Sequence, residues 1–193
     1  MNIITSTAVA LPQENIDTDQ IIPSRFLKAV TREGFGENLF RDWRSKQDFV
    51  LNDTTYSGEI LVAGRNFGCG SSREHAAWAL KDYGFNVIIS SFFADIFKNN
   101  ALNNFLLPIQ ISDSELTELF VHIKKDAKAK FTIDLPNQEL RTATSELRIQ
   151  FDIDPYKKLC LMEGYNDIDY LLSKKSDVEK FESNRSYDFH IRS

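Results

Sequence analysis

Apolar and polar positions change period along this chain, and each change marks a different kind of element. From residue 60 onward, short apolar runs at 60–63, 86–90 and 105–109 alternate with helical patterns at 72–83, closed by Gly84, and at 94–100. Strand, helix, strand, helix, strand predicts parallel strands joined by right-handed crossovers. Ser112 and Glu115 form a capping box that opens another helix, running to Lys125 with Leu116, Leu119, Phe120 and Ile123 as its buried stripe. The period then falls to two. Residues 131–133 and 140–142 flank Pro136-Asn137-Gln138 as an antiparallel hairpin, and residues 146–153 alternate like a further strand. Asp154-Pro155 then starts a helix that Gly164 ends.

The first third is less regular. A strand over residues 3–9 is broken near Pro12, a polar loop follows over 13–20, and Pro23 opens a helix. Residues 28–43 carry Gly34 and Gly36 between polar neighbours and read as a mobile excursion. The charged stretch after residue 173 holds no motif and reads as a helical or mobile extension over 173–193 of a single domain spanning 1–193.

One segment carries candidate chemistry. Residues 64–75 read Gly-Arg-Asn-Phe-Gly-Cys-Gly-Ser-Ser-Arg-Glu-His, between a strand and a helix. Gly64, Gly68 and Gly70 allow positive φ and close backbone approach, delivering Ser71, Ser72 and Arg73 to a helix start with unused N–H groups. Ser71 with Glu74 also fits a capping box, which needs no ligand to explain it. Arg73 favours a ligand, because a guanidinium beside two hydroxyls matches a carboxylate or phosphate at two points. The common phosphate and hydrolase loops are excluded by spacing. No lysine follows Gly70, Arg73 stands where a dinucleotide fingerprint has its third glycine, and Ser72 is not followed by x-Gly.

These residues resemble the small-subunit or swivelling domain of the aconitase and isopropylmalate isomerase family. Three segments carry the resemblance: Asn15-Ile16-Asp17-Thr18-Asp19-Gln20-Ile21-Ile22-Pro23, then Asn66 to His75, then Ser91-Phe92-Phe93-Ala94-Asp95-Ile96-Phe97 with Asn100 and Leu106-Leu107-Pro108. Their order and spacing look like those of 3-isopropylmalate dehydratase small subunits, to about residue 165. The resemblance implies a swivelling β/β/α domain: a central, mainly parallel α/β sheet flanked by helices, with an additional antiparallel β layer. It further implies Ser71 as catalytic base, Ser72 and Arg73 as substrate-binding, Thr18 and Asp19 facing the site, and substrate discrimination in the excursion that contains Arg32. Spacing alone leaves Ser71 and Ser72 equal as the base, and Asp17 and Asp19 equally readable as helix caps.

The remaining composition narrows the function. At 193 residues and 42% hydrophobic, the chain can bury one good core. The sequence has no apolar run of about 20 residues and no secretory leader pattern, so a cytoplasmic location is expected. A net charge of −5 without a basic stripe argues against nucleic acid. A dicarboxylate would then need local positive potential, which Arg73 and a helix N-terminus supply, with Arg65 and Arg32 as further helpers.

Cys160 stands among apolar neighbours as a core thiol, while Cys69 reads equally as packing or as reactive. Family enzymes of this type use a 4Fe-4S cluster with one open iron, which needs three thiolates, and this chain has 2 cysteines. The cluster is therefore expected in a large partner subunit, with no cofactor and no metal held here. His75, His122 and His190 lack metal-ligand spacing. The expectation is a hydro-lyase subunit acting on isopropylmalate. A homoaconitase or other hydroxy-diacid hydro-lyase subunit, or a non-catalytic anion-binding module, are the alternatives.

Overall fold

The computed structural model describes residues 1–28, 33–142 and 147–184. Two sheets form the frame, and one stretch near the amino terminus contributes to both. Residues 3–9 do not make one strand as expected. They split at Thr7 into β1 (Ile3–Ser6) and β2 (Ala8–Leu11). β1 pairs antiparallel with β6 (Phe131–Asp134), whereas β2 pairs parallel with β3 (Ile60–Ala63). The halves differ in burial as well as in partner: β1 is partly exposed at the edge of its sheet, whereas β2 is mostly buried.

The parallel sheet has the order β2-β3-β4-β5, with β4 at Val87–Ser90 and β5 at Leu107–Gln110. β3 and β4 are buried along their whole length, as expected for inner strands covered on both faces. One face packs α2 (Glu74–Tyr83) and α3 (Asp95–Asn103), together with Phe35, Leu39 and Phe40. The other face packs α4 (Asp113–Lys125) and the antiparallel sheet β1-β6-β7-β8, with β7 at Glu139–Thr142 and β8 at Arg148–Gln150. This is the expected order of helix layer, parallel sheet and second β layer. The Ser112 capping box, the hairpin and the Asp154 cap of α5 (Pro155–Glu163) all form as read, and Gly164 ends α5 in the left-handed conformation.

Other expectations are corrected. Before Pro23 there is a short helix, α1 (Thr18–Ile21), and after it only a 3-10 turn over Ser24–Phe26. The cause is a capping box: the Asp17 side chain accepts from the Gln20 N–H at 2.8 Å, and the Gln20 side chain accepts from the Asp17 N–H at 2.9 Å. The 28–43 excursion, expected to be mobile, is packed where Phe35, Leu39 and Phe40 enter the core, and the Gly36 N–H donates to Asp82 on α2 at 2.8 Å. Arg32 lies outside the described residues. Within the expected strand over 146–153, β8 forms the ladder, and bonds from Thr142 N–H to Leu147 and from Phe151 N–H to Gln138 flank it. Beyond α5, α6 (Asp167–Ser173) and α7 (Lys175–Ser183) make the carboxyl-terminal stretch helical as far as it is described. No helix among the described residues is long and apolar enough to cross a membrane.

Candidate functional site

Past the ends of β2, β3 and β4, irregular pairing continues and gathers the three motif segments at the carboxyl edge of the sheet. Asn15 N–H donates to the Arg65 carbonyl at 2.8 Å, Gly68 N–H to Ile16 at 2.8 Å, and Thr18 N–H to Cys69 at 3.0 Å. On the other flank, Phe67 N–H donates to Phe92 at 3.1 Å and Ala94 N–H donates back to Phe67 at 3.2 Å. Open α/β sheets place ligands at this edge. Asn15 and Asn66 both take positive φ, at 55° and 63°, and the Asn66 side chain donates to that of Asn15 at 2.8 Å. Asparagine tolerates that region better than most residues, so this pair clips the two loops where they turn. Nothing in the sequence pattern marks the clip in advance.

Gly68 fixes how close the loop can lie to α3. Its φ is +76°, and a Cβ there would sit 2.2 Å from Cγ of Phe97. Phe97 fills the space left by the missing side chain and packs edge-on against Phe67 at 5.2 Å.

The capping box expected from Ser71 and Glu74 does not form. The helix begins at Glu74, its N-cap is Arg73, and no side chain caps it. Glu74 is drawn sideways instead, accepting from Asn104 at 2.9 Å and from the Trp78 indole at 3.3 Å. Ser71 and Ser72 therefore precede the helix as exposed residues, and among the described residues neither hydroxyl has a partner. The main-chain N–H groups of Gly70, Ser71, Ser72 and Arg73 likewise find no acceptor among the described residues. A run of unused donors beside a guanidinium is chemically an anion receptor. Its positive potential comes from these amides and Arg73 more than from the helix dipole, which fades beyond the first turn.

α1 holds this loop from the side. Thr18, only 2% exposed, donates its hydroxyl to the Ser71 carbonyl at 2.8 Å. Asp19 accepts from Arg73 Nη2 at 2.7 Å and makes a second, shorter contact with Nη1, which also reaches the Ile22 carbonyl at 3.4 Å. The Arg73 side chain is 15% exposed against 54% for Asp19, so the arginine is the anchored partner. Its hydrogen bond holds the Asp19 carboxyl below the ordinary carboxylate range, opposed by slight desolvation and helped by the Ser24 N–H. The same bond raises the Arg73 guanidinium further above its normal value. Ser71, Ser72, Arg73, Thr18 and Asp19 are thus brought together. Arg65 is engaged elsewhere, pairing with Asp113 at 3.2 Å.

The thiols and the described imidazoles play other parts, and His190 lies outside the described residues. Burial, and then the negative charge of Asp17, pushes the Cys69 thiol up, which disfavours a reactive thiolate. Cys160 is buried on α5. His75 packs against Trp78 at 4.6 Å and Phe35 at 5.3 Å, and His122 lies 3.8 Å from Glu118. Two cysteines on separate elements do not supply the three thiolates of a cluster.

Comparison with known proteins follows this geometry closely. A family model described as the aconitase C-terminal domain matches residues 2–114, which include all three motif segments, and one described as LeuD_N matches residues 117–155. The chain is 59% identical over 188 residues to a 3-isopropylmalate dehydratase small subunit from Christiangramia forsetii, covering 94% of this chain and 92% of that protein. A small subunit of the same name from Cytophaga hutchinsonii is 56% identical over 190 residues, with 95% and 94% covered. The crystal structure of a 3-isopropylmalate dehydratase from Methanocaldococcus jannaschii superposes with a TM-score of 0.70 at 29% identity, over 93% of this chain and 99% of that one.

Proposed function

The chain belongs to the aconitase C-terminal-domain family, among the small subunits of 3-isopropylmalate dehydratase, and on that footing we propose how its residues take part in the reaction. It is the small subunit of a leucine-biosynthesis hydro-lyase and works with a large subunit. In the proposed reaction 2-isopropylmalate loses water to give bound isopropylmaleate, and water returns with the hydroxyl on the neighbouring carbon. The observation that carries the proposal is the run from Gly70 to Arg73, where N–H groups and two hydroxyls without partners among the described residues meet one anchored guanidinium.

Ser71, ionised, takes the proton from the substrate carbon onto its Oγ. Arg73 and Ser72 hold the carboxylate that gathers charge as the carbanion develops. Asp19 uses part of the guanidinium fork and so fixes its plane, leaving its remaining donors for substrate. Thr18 fixes the Ser71 carbonyl from beneath. Departure of the hydroxyl is assigned to Lewis-acid chemistry supplied by a 4Fe-4S cluster in the large subunit.

A serine hydroxyl is a very weak acid, and Ser71 stands outside the first turn of α2, so the dipole contributes little. Its ionisation relies on the loop amides and Arg73 acting in a water-poor cleft, where their fields are strong. In the isolated chain the loop is open to water. Activity therefore depends on the large subunit closing over it. The excursion that includes Arg32 is proposed to select the substrate's variable group, and the setting is proposed to be cytoplasmic.

Reconstitution tests this reading. The chain alone is expected to carry no stoichiometric iron or sulfide and no hydro-lyase activity. Mixed with an anaerobically prepared large subunit, it should turn over isopropylmalate with a higher kcat/KM than citrate, homocitrate or citramalate. A preference for homocitrate would reassign the substrate, and an active, iron-containing lone chain would overturn the division between subunits.

A further inference from the structure

The segment that carries Thr18 and Asp19 and the one that carries Ser71 leave the parallel sheet side by side and meet again in step. Within the sheet Ala8 pairs with Ile60 and Leu11 with Ala63, an offset of 52 positions. Beyond it Asp17 pairs with Cys69, and the offset is again 52. Residues 12–16 and 64–68 are therefore two excursions of equal length. The other flank of β3 behaves differently: the offset is 27 where Val62 meets Ile89 and 26 where Phe67 meets Phe93. Equal length is a property of this pair of loops and not of the sheet edge.

Asn15 and Asn66 stand inside these excursions, one in each, and both take the left-handed conformation there. The Asn66 side chain donates to that of Asn15 at 2.8 Å, and the Asn15 N–H donates to the Arg65 carbonyl at the same distance. Just before the pair the chains all but touch, since a Cβ on Gly64 would lie 2.3 Å from the Gln13 carbonyl oxygen. Just after it, the Gly68 and Cys69 N–H groups both reach the Ile16 carbonyl, at 2.8 and 3.2 Å. The contacts by which α1 holds the Ser71 loop all lie past this point: Thr18 N–H on Cys69, the Thr18 hydroxyl on Ser71, and Asp19 on Arg73. A slip of one residue between extended segments turns every side chain to the opposite face, so these three contacts exist only while the two excursions stay in step.

We propose that Asn15 and Asn66 are a positioning pair for the reaction: their side-chain bond locks the two excursions in register, so that Thr18 and Asp19 arrive opposite Ser71 and Arg73 in the geometry that catalysis uses. This rests on the reading of the Ser71 loop as the site of the hydro-lyase reaction. The two asparagines act through Thr18 and Asp19 and not on substrate. Asparagine suits the place because it tolerates positive φ and carries both a donor and an acceptor on one short side chain. Misplacing reacting groups by about 1 Å can cost roughly a hundredfold in rate, and loosening one clip costs a part of that.

Asn15→Gly, Asn66→Gly and the double variant test this, because glycine keeps the left-handed backbone and removes the amide. In the full chain, hydrogen exchange at the Thr18 and Gly68 N–H groups should quicken about tenfold in each variant, with the amides of β4 within about threefold of the parent. The double variant should exchange no faster than either single one, since both break the same bond. With the large subunit, kcat on isopropylmalate should fall about tenfold while KM changes by less than about threefold. Unchanged exchange at Thr18 and Gly68, equal quickening across β4, or a kcat within about twofold of the parent overturns the proposal. If the parent complex turns over none of the hydroxy diacids, the assigned reaction fails, while the exchange comparison still decides whether the clip sets the register.

Discussion

The hydroxyl of Thr18 donates to the main-chain carbonyl of Ser71 at 2.8 Å, joining residues 53 positions apart in the chain. With the Thr18 N–H on the Cys69 carbonyl and Asp19 on Arg73, a single helical turn holds the loop at three points. The side chain of Ser71, the candidate base, bears none of this load, which leaves its Oγ available.

Thr18→Val keeps the shape and removes the donor, leaving the Ser71 carbonyl short of one partner. We expect a stability loss of about 1 kcal/mol, equivalent to a Tm drop of roughly 2–4 °C at this size. The reconstituted enzyme should lose kcat more than it changes KM, and Thr18→Ser should recover both. Thermal melts and steady-state kinetics on the three proteins check this, and full activity in the valine variant would separate Thr18 from the loop's function.

Ser71→Ala removes no cap, because the helix starts at Glu74. Its stability should stay within about 0.5 kcal/mol of the parent, as for an exposed substitution. Turnover and proton exchange at the substrate carbon should nearly vanish. Ser72→Ala should be milder. Near-normal exchange in Ser71→Ala would remove the serine from the reaction.

Arg73→Lys keeps the charge and gives up the planar two-point contact. Charge-assisted hydrogen bonds are worth roughly 1.5–3 kcal/mol, so kcat/KM should fall by about ten- to a hundredfold. Part of the fall should lie in kcat, since the held carboxylate carries more charge in the carbanion-like transition state than in bound substrate. A change confined to KM would indicate simple anchoring.

Asp19 sets a pH dependence of known sign. Its carboxyl is held below the ordinary value of 3.8, so the stabilisation is fully present above that value and is lost as pH falls through the depressed one. Asp19→Asn should therefore be less stable than the parent at pH 6, with the gap closing below about pH 4. The side chain is 54% exposed, so screening by water keeps the gap small. Urea unfolding across this range measures it, and a gap that widens on acidification would contradict the Arg73 pairing.

Much of this protein was legible in its sequence because it is written in local periods. Continuous apolar runs between helical patterns gave the parallel strands, period two gave the hairpin, and Ser112 with Glu115 and Asp154 before Pro155 marked two helix starts. The three motif segments were legible as motifs, and their order carried the family.

Tertiary structure decided what depends on partners far away in the chain. Residues 3–9 became two strands because two different neighbours, β6 and β3, claim the halves. Gly34 and Gly36 suggested mobility, yet Phe35, Leu39 and Phe40 found a core to fill. The Ser71-Glu74 spacing permitted a capping box, but Asn104 and Trp78 compete for that carboxylate and the helix starts later. A local pattern states which bonds a segment can make. Which of them form is settled by whatever the fold brings within about 3 Å of each donor and acceptor.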